Sequence, residues 1–174
     1  SIQFFVTNSL DRKKQQAYLE KLSYRDMLTG LYNRNRYIER LEAYKQVQDQ
    51  QIGAIYIDLN GLKKVNDEQG HRAGDELIVR AAGTIAGIFA DDAYRVGGDE
   101  FVVILLDVSR EEFARKTEQL RRQMQENSVD ASIGEVWQAS TENLEDLLRR
   151  ADENMYREKK RYYSQADAAR KPES

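Results

Sequence analysis

Continuous apolar runs alternate along this chain with stripes of helical period. Residues 34–48, RNRYIERLEAYKQVQ, predict a helix, and IGAIYIDL (52–59) is a β-branched, apolar run whose length suits a buried strand. Leu77, Ile78, Ala81, Ala82, Ile85, Ile88 and Phe89 recur at helical spacing and predict a helix over about 74–90. AYRV (93–96) and FVVILL (101–106) flank Gly97-Gly98-Asp99-Glu100, a hairpin signal in which glycine is expected to supply the positive φ of a tight turn. A helix at about 110–126, a strand within SVDASIGEVW (128–137) and a last helix at about 142–162 complete the body. Between the first strand and its following helix lies NGLKKVNDEQGHRAGDEL (60–77), dense in Gly, Asn and Asp, which reads as a loop.

A strand, a crossover helix and a hairpin predict an α/β sheet with the first and second strands parallel and the third inserted antiparallel between them, because such crossovers are short and right-handed. Asp58, at the carboxyl end of the first strand, then shares one sheet edge with Asp99 and Glu100 in the hairpin turn. The ends of the chain read differently. IQFFVT (2–7) has the character of a terminal strand, and LDRKKQQAYLEKLSYRD (10–26), with Tyr18, Leu19 and Leu22 at helical spacing, reads as a short connecting helix. That pair resembles the exit from a PAS-type sensory domain, or else a chain end packed on its own body. With Ser1 in first place and no signal-peptide pattern, the chain is expected to be a piece of a longer protein. The polar tail SQADAARKPES (164–174), which holds the single proline, Pro172, reads as disordered.

Composition narrows the chemistry. The 174 residues suit one domain, and none of the apolar runs approaches the ~18 residues of a membrane span. The absence of Cys removes disulfides and thiolate chemistry, and a single His rules out a multi-histidine metal centre, so any metal must take oxygen ligands. Arg12, Lys13, Lys14, Lys21 and Arg25 against Asp11 and Glu20 put +3 on residues 1–25, leaving −6 on the rest of a chain whose total is −3. A mildly acidic body lacks the basic face on which non-specific nucleic-acid binding depends, and its charges read as solvated surface.

Asp58 ends an apolar strand, where an unpaired carboxylate is costly unless neutralised. Two readings fit: Asp58 with Asp99 or Glu100 holds a hard cation such as Mg²⁺, or these are turn and cap residues. Amides near Gly61 and Leu62, with Lys63, can hold phosphate oxygens beyond the strand end, although neither Walker A spacing nor a Rossmann-type glycine triplet is present. Asn66 and Asp75 offer the amide and carboxylate that recognise a purine edge, or serve as cap and turn residues; His71 reads first as a structural donor. Lys159 continues the stripe of Leu144, Leu148, Ala151 and Met155, so it points toward the body, either snorkelling past the core edge or reaching an anionic ligand.

The motifs together resemble the GGDEF domain family, the bacterial diguanylate cyclases. Gly97-Gly98-Asp99-Glu100-Phe101 matches the signature, and Asp26-Met27-Leu28-Thr29-Gly30-Leu31-Tyr32-Asn33-Arg34 looks like the family's opening motif. Asp58 to Lys63, Asn66-Asp67, Gly70-His71 and Gly74-Asp75 are similar to its metal and nucleotide segment. Ser132-Ile133-Gly134 fits its fourth core strand, and Ala151-Asp152, Met155-Tyr156 and Lys159 fit its final helix. The likeness spans about residues 22–162. It implies a palm-like α/β fold of nucleotidyl cyclase type, with a central, mostly antiparallel sheet flanked by helices, that condenses two GTP into the bacterial second messenger cyclic di-GMP and releases two pyrophosphates. By position, Asp58, the Leu59 carbonyl and Asp99 would bind Mg²⁺, with Mn²⁺ an alternative; Asp99 would help deprotonate the ribose 3′-hydroxyl, and Glu100 would support the metal. Asn66, His71 and Asp75 would hold guanine, and Gly61, Leu62, Lys63 and Lys159 the β- and γ-phosphates. The resemblance further implies a homodimer for turnover, residues 1–25 as the end of an upstream sensory region, 26–163 as the catalytic domain, no nucleic-acid or membrane contact from this fragment, and a cytoplasmic setting even if the full protein is tethered to a membrane. A degenerate module that binds GTP or a partner without turnover is the rival reading, and a related cyclase making another nucleotide is a third.

Three positions depart from the family pattern. Tyr163 stands where an Arg is usual, with Arg161 as a substitute. Ile88-Phe89-Ala90-Asp91 occupies the product-inhibition motif and lacks its Arg. Asn60 stands where a second Asp is common, and Gly61-Leu62 where an aromatic residue is common.

Overall fold

The computed structural model describes residues 2–170, apart from the side chains of Phe4 and Phe5. Helices α1 (Ile2–Tyr24) and α2 (Arg34–Tyr44) lead into strand β1 (Ile52–Leu59). Helices α3 (Leu62–Gln69) and α4 (His71–Phe89) and a short 3₁₀ turn (Ala90–Asp92) connect it to β2 (Ala93–Arg95) and β3 (Glu100–Leu106). The chain ends with α5 (Arg110–Glu126), β4 (Ala131–Gln138) and α6 (Leu144–Ala169). The four strands form one sheet in the order β2-β3-β1-β4, and every neighbouring pair is antiparallel. Being both antiparallel to β3, β1 and β2 run parallel with β3 between them, as the crossover argument expects.

Side-chain alternation assigns the two faces. Ile55, Ile57, Leu59, Phe101, Val103 and Leu105 pack against the apolar stripes of α4 and α5. Ile52, Ala54, Val102 and Ile104 face α6, through Leu144, Leu147, Leu148 and Ala151, with Tyr37 and Leu41 of α2 beside them. A Cβ on Gly134 would collide with the backbone of Met155 and Ala151, so this glycine sets how closely α6 lies on β4. At the β4 edge, Arg121 donates to the Ile133 carbonyl (2.9 Å) and Asn154 to that of Glu135 (3.2 Å), occupying groups that another strand would otherwise pair with. Caps fix the helix starts: Asn33 accepts from the Arg36 amide, and Ser109 from that of Glu112 in a Ser-x-x-Glu box.

Four expectations differ from the fold. IQFFVT is helical and continuous with the connecting segment, so residues 2–24 form one helix. The segment 60–77 is largely helical: Gly61 (φ 72°) and Gly70 (φ 89°) bound α3 on either side, and α4 starts at His71. Gly97 and Gly98 do not adopt positive φ. A Cβ on Gly97 would lie 2.7 Å from Glu100 Oε2, the mobile end of an exposed side chain, so the Glu100 carboxylate would have to shift. Finally, α6 continues to Ala169, so 164–169 is ordered helix, while Pro172 lies outside the described residues.

Candidate active site

The period of two places Asp58 on the α6 face of β1, and the register sets it directly opposite Glu100 on β3. One residue further, the Leu59 amide donates to the Asp99 carbonyl (2.9 Å), which ties the β1 end to the hairpin turn. The stripe of α6 delivers Lys159 to the same place, where its Nζ lies 2.9 Å from Asp58 Oδ2. Asp58 is only 3% exposed, and its other oxygen, Oδ1, is buried with no hydrogen-bond partner.

The electrostatics follow from this crowding. Burial pushes the Asp58 carboxyl above its ordinary value, the Lys159 contact opposes this, and Asp99 beside it raises it further. Burial, then Asp58 and Asp99, raise Glu100 in the same way. Lys159 is raised as well: its partial burial favours loss of the proton, but the hydrogen bond and charge of Asp58, with Asp99, outweigh it. One lysine therefore serves a group of carboxylates that still lacks positive charge, and a cation added there reverses the shifts.

The donor set suits Mg²⁺. It is all oxygen, and it contains a buried carboxylate oxygen with an unused lone pair. Among the described residues no three Asp, Glu or His side chains converge into a ready cage. Such an open set matches an ion that keeps waters and takes substrate phosphates as its remaining ligands.

Next to the carboxylates, Gly61 in the left-handed conformation opens α3, and no side chain caps the helix there. The first-turn amides around Leu62 thus lack a side-chain acceptor, as an anion site requires. Lys63 is exposed on the same turn. Farther along, Asn66 of α3 packs so tightly on Gly74 of α4 that a Cβ on Gly74 would overlap its amide. This brings Asn66 beside the helix turn that carries Asp75; Asp75 and His71 are both exposed. The structure therefore joins Asp58, Asp99, Glu100 and Lys159 in one cluster and sets Asn66, His71 and Asp75 on the α3–α4 pair. Tyr163 lies one helical turn beyond Lys159 and close enough to add to its upward shift. Arg161 lines a groove with Arg121, Glu135 and Asn154, on another face of α6 from Lys159.

Arg95 is the site residue that the sequence reading misses. Its Nε and Nη2 donate to the carbonyls of Gly97 (3.2 Å) and Gly98 (2.8 Å), while Nη1 meets both oxygens of Asp26 (3.2 and 3.0 Å). One guanidinium thus ties the hairpin turn to the opening motif. The only signal in the sequence is a basic residue two positions before Gly97, and its partner Asp26 is 69 residues away.

The family model for the diguanylate cyclase, GGDEF domain, matches residues 23–165. The chain is 31% identical over 161 residues to diguanylate cyclase VdcA of Vibrio cholerae, covering 84% of this chain and 47% of that protein. It is 31% identical over 180 residues to the response regulator PleD of Caulobacter vibrioides, covering 88% of this chain and 39% of that one. The chain thus spans half or less of the length of these relatives. Among solved structures, the coiled coil and GGDEF domain of DgcB from Caulobacter crescentus, in complex with c-di-GMP, superimposes with a TM-score of 0.76. At 22% identity, over 91% of this chain and 93% of that one, it shares the fold. On the span of that match, and on the cluster its motifs build, this chain belongs to the diguanylate cyclase, GGDEF domain, family.

Proposed function

We infer that this domain condenses two GTP into cyclic di-GMP. The observation that carries the reading is the buried, half-unpartnered Asp58 carboxylate, set by register against Glu100 and next to Asp99, with a single lysine in reach. Asp58, the Leu59 carbonyl and Asp99 would hold Mg²⁺, which when bound offsets charge on the triphosphate. The α3 amides at Gly61 and Leu62, with Lys63 and Lys159, would hold the β- and γ-phosphates. Binding of substrate releases Lys159 from Asp58 to the phosphates. Asn66, His71 and Asp75 would hold guanine. The 3′-oxygen of one GTP attacks the α-phosphorus of the other, its proton passes toward Asp99, and the bond to the β-phosphate breaks to free pyrophosphate. A second such step closes the ring.

One domain holds one GTP, so both attacks need two domains face to face. The domain then works as a homodimer, and α1 is the natural control element, because a sensor that pairs or rotates these helices changes how often the half-sites meet. Use of GTP and Mg²⁺ places the domain on the cytoplasmic side of any membrane tether. Among the described residues no helix is long and apolar enough to cross a membrane.

Tyr163 beside Lys159 favours one rival, a module that binds GTP without turnover. Incubating the protein with GTP and Mg²⁺, with ATP in a parallel reaction, separates the readings. The expected products are cyclic di-GMP and pyrophosphate from GTP alone, at a rate per subunit that rises with protein concentration. Intact GTP at high protein concentration supports the rival instead. Asp75→Ala should weaken GTP binding with the fold intact, and unchanged affinity removes the guanine assignment.

A further inference from the structure

Just past the β1 end, Asn60 is 6% exposed and both ends of its amide are used. Its Nδ2 donates to Asp130 Oδ1 (2.9 Å), and its Oδ1 accepts from the hydroxyl of Ser132, which is fully buried (2.8 Å). Its backbone amide also donates to the Asp130 carbonyl (2.9 Å), extending the β1–β4 pairing beyond the last strand residue. Three hydrogen bonds therefore fix a residue that lies between Leu59, whose carbonyl is proposed above as a metal ligand, and Gly61, the left-handed residue that opens α3. From α6, the hydroxyl of Tyr162 lies 3.6 Å from where a Cβ on Gly61 would be, and Asp130 helps raise the Tyr162 phenol, second to its burial. The turn is thus enclosed by β4 and α6.

We propose that Asn60 is the positioning residue of the phosphate-binding turn, and that it forms a matched donor–acceptor set with Asp130 and Ser132. The chemistry specifies an amide. The buried side chain at 60 must accept from the buried Ser132 hydroxyl at one end and donate to the acceptor-only Asp130, at the solvent edge, from the other. A carboxylate at 60 would face Asp130 with no hydrogen between two acceptors, and an alanine would leave the buried Ser132 hydroxyl without its acceptor while Asp130, which is exposed, turns to water. Either change lets the turn move, and with it the Leu59 carbonyl and the first amides of α3. Asn60 acts through that backbone and need not touch substrate. The charge pattern also explains how this chain carries Asn at 60: the carboxylate of the pair sits at 130.

The inference rests on the cyclase reading, so the test has a readout that does not require turnover. The probe is Mg²⁺ with 3′-deoxy-GTP, which lacks the attacking hydroxyl, titrated calorimetrically into the full chain and followed by steady-state kinetics with GTP. Wild type that fails to bind this probe defeats the cyclase reading itself. Given binding by wild type, Asn60→Asp should weaken it about 10-fold, equivalent to loss of about 1.4 kcal/mol. The KM for GTP should rise by a similar factor while kcat changes less; a purely structural defect would lower the active fraction, and so kcat, at unchanged KM. Asp130→Asn alone, whose amide can turn its oxygen toward Nδ2, should lose less. The exchange Asn60→Asp/Asp130→Asn rebuilds the pair in reverse and should recover binding to within about threefold of wild type. Unchanged binding in Asn60→Asp, or a folded exchange variant as weak as Asn60→Asp, overturns the proposal. If Asn60→Asp does not fold, the exchange variant decides: native melting with near wild-type binding supports the pair, and native melting with 10-fold weaker binding or failure to fold refutes it.

Discussion

Two aspartates in this domain each have one cationic partner, and they titrate in opposite directions. Asp26 meets Arg95 through both oxygens and also accepts from the Thr29 amide (2.9 Å) and hydroxyl (2.7 Å). Burial alone would raise its carboxyl, but the Thr29 and Arg95 contacts outweigh it and hold the group below its ordinary value. Asp58 has Lys159 on one oxygen and nothing on the other, with Asp99 close by, and is raised. A carboxylate whose acceptors are filled is a joint in the structure. One left short of donors in a buried place costs stability and gains it back only from a ligand.

The widest separation between the two should come from Asp58→Asn. Turnover should fall by at least about 100-fold, since even the outer partners of metal ligands are worth 10–100-fold. The melting midpoint of the ligand-free protein should stay the same or rise, because a poorly compensated buried charge is removed. Calorimetry and product analysis on one preparation check both halves, and a large loss of stability would place Asp58 with the structural aspartates.

Asp26→Asn should give the inverse pattern. It removes charge-assisted bonds from a pair whose side chains are 14% and 22% exposed, at a cost of about 2 kcal/mol after allowance for that partial exposure. For a chain of this size that lowers the melting midpoint by roughly 4–8 °C. Turnover should fall less than in Asp58→Asn, because only the Arg95 hold on the Gly97 and Gly98 carbonyls is loosened. The pH dependence has a definite sign. A depressed carboxyl stabilises above its unfolded value of 3.8, and loses that contribution as pH falls through the folded value. The midpoint difference between wild type and Asp26→Asn should therefore be full at neutral pH and shrink below pH 3.8. A difference that persists in acid would mean the Asp26 charge is not what holds the joint.

The sequence pattern reveals the two kinds of aspartate unequally. Asp58 could be read from its strand, since the crossover topology sets its carboxyl end on one sheet edge with Asp99 and Glu100 and helical period turns Lys159 toward the body; the pairing with Glu100 is seen only in the fold. The order of β1, β3 and β2 follows from the crossover argument, whereas the place of β4 beside β1 does not. What stays hidden depends on pairs far apart in the chain: Arg95 with Asp26, and Asn60 with Asp130, 70 residues on. No periodicity encodes such meetings. Local composition also misleads in two places. The Gly, Asn and Asp of 60–77 suggest a loop, yet Leu62–Gln69 fits a helix whose ends are set by Gly61 and Gly70. The β-branched and aromatic residues of IQFFVT suggest a strand, yet no strand pairs with them, and the segment continues the helix that follows.

A third aspartate sharpens the contrast at its weak end. Asp91 lies 3.2 Å from Arg25, but the two side chains are 66% and 32% exposed. Arg25 is itself shared with the Gly30 carbonyl (3.3 Å) and lies over the Tyr32 ring. Exposed pairs of this kind are worth about 0–1 kcal/mol, so Asp91→Ala should move the melting midpoint by no more than about 4 °C. By the family resemblance Ile88 stands where a product-site arginine is usual, and the Asp91 carboxylate is turned to Arg25. Titration with cyclic di-GMP should therefore be the same for wild type and Asp91→Ala. Micromolar product binding that disappears in Asp91→Ala would overturn this and make Asp91 a ligand residue like Asp58. A midpoint loss as large as that of Asp26→Asn would instead mean that burial and filled acceptors do not separate a joint from a surface pair here.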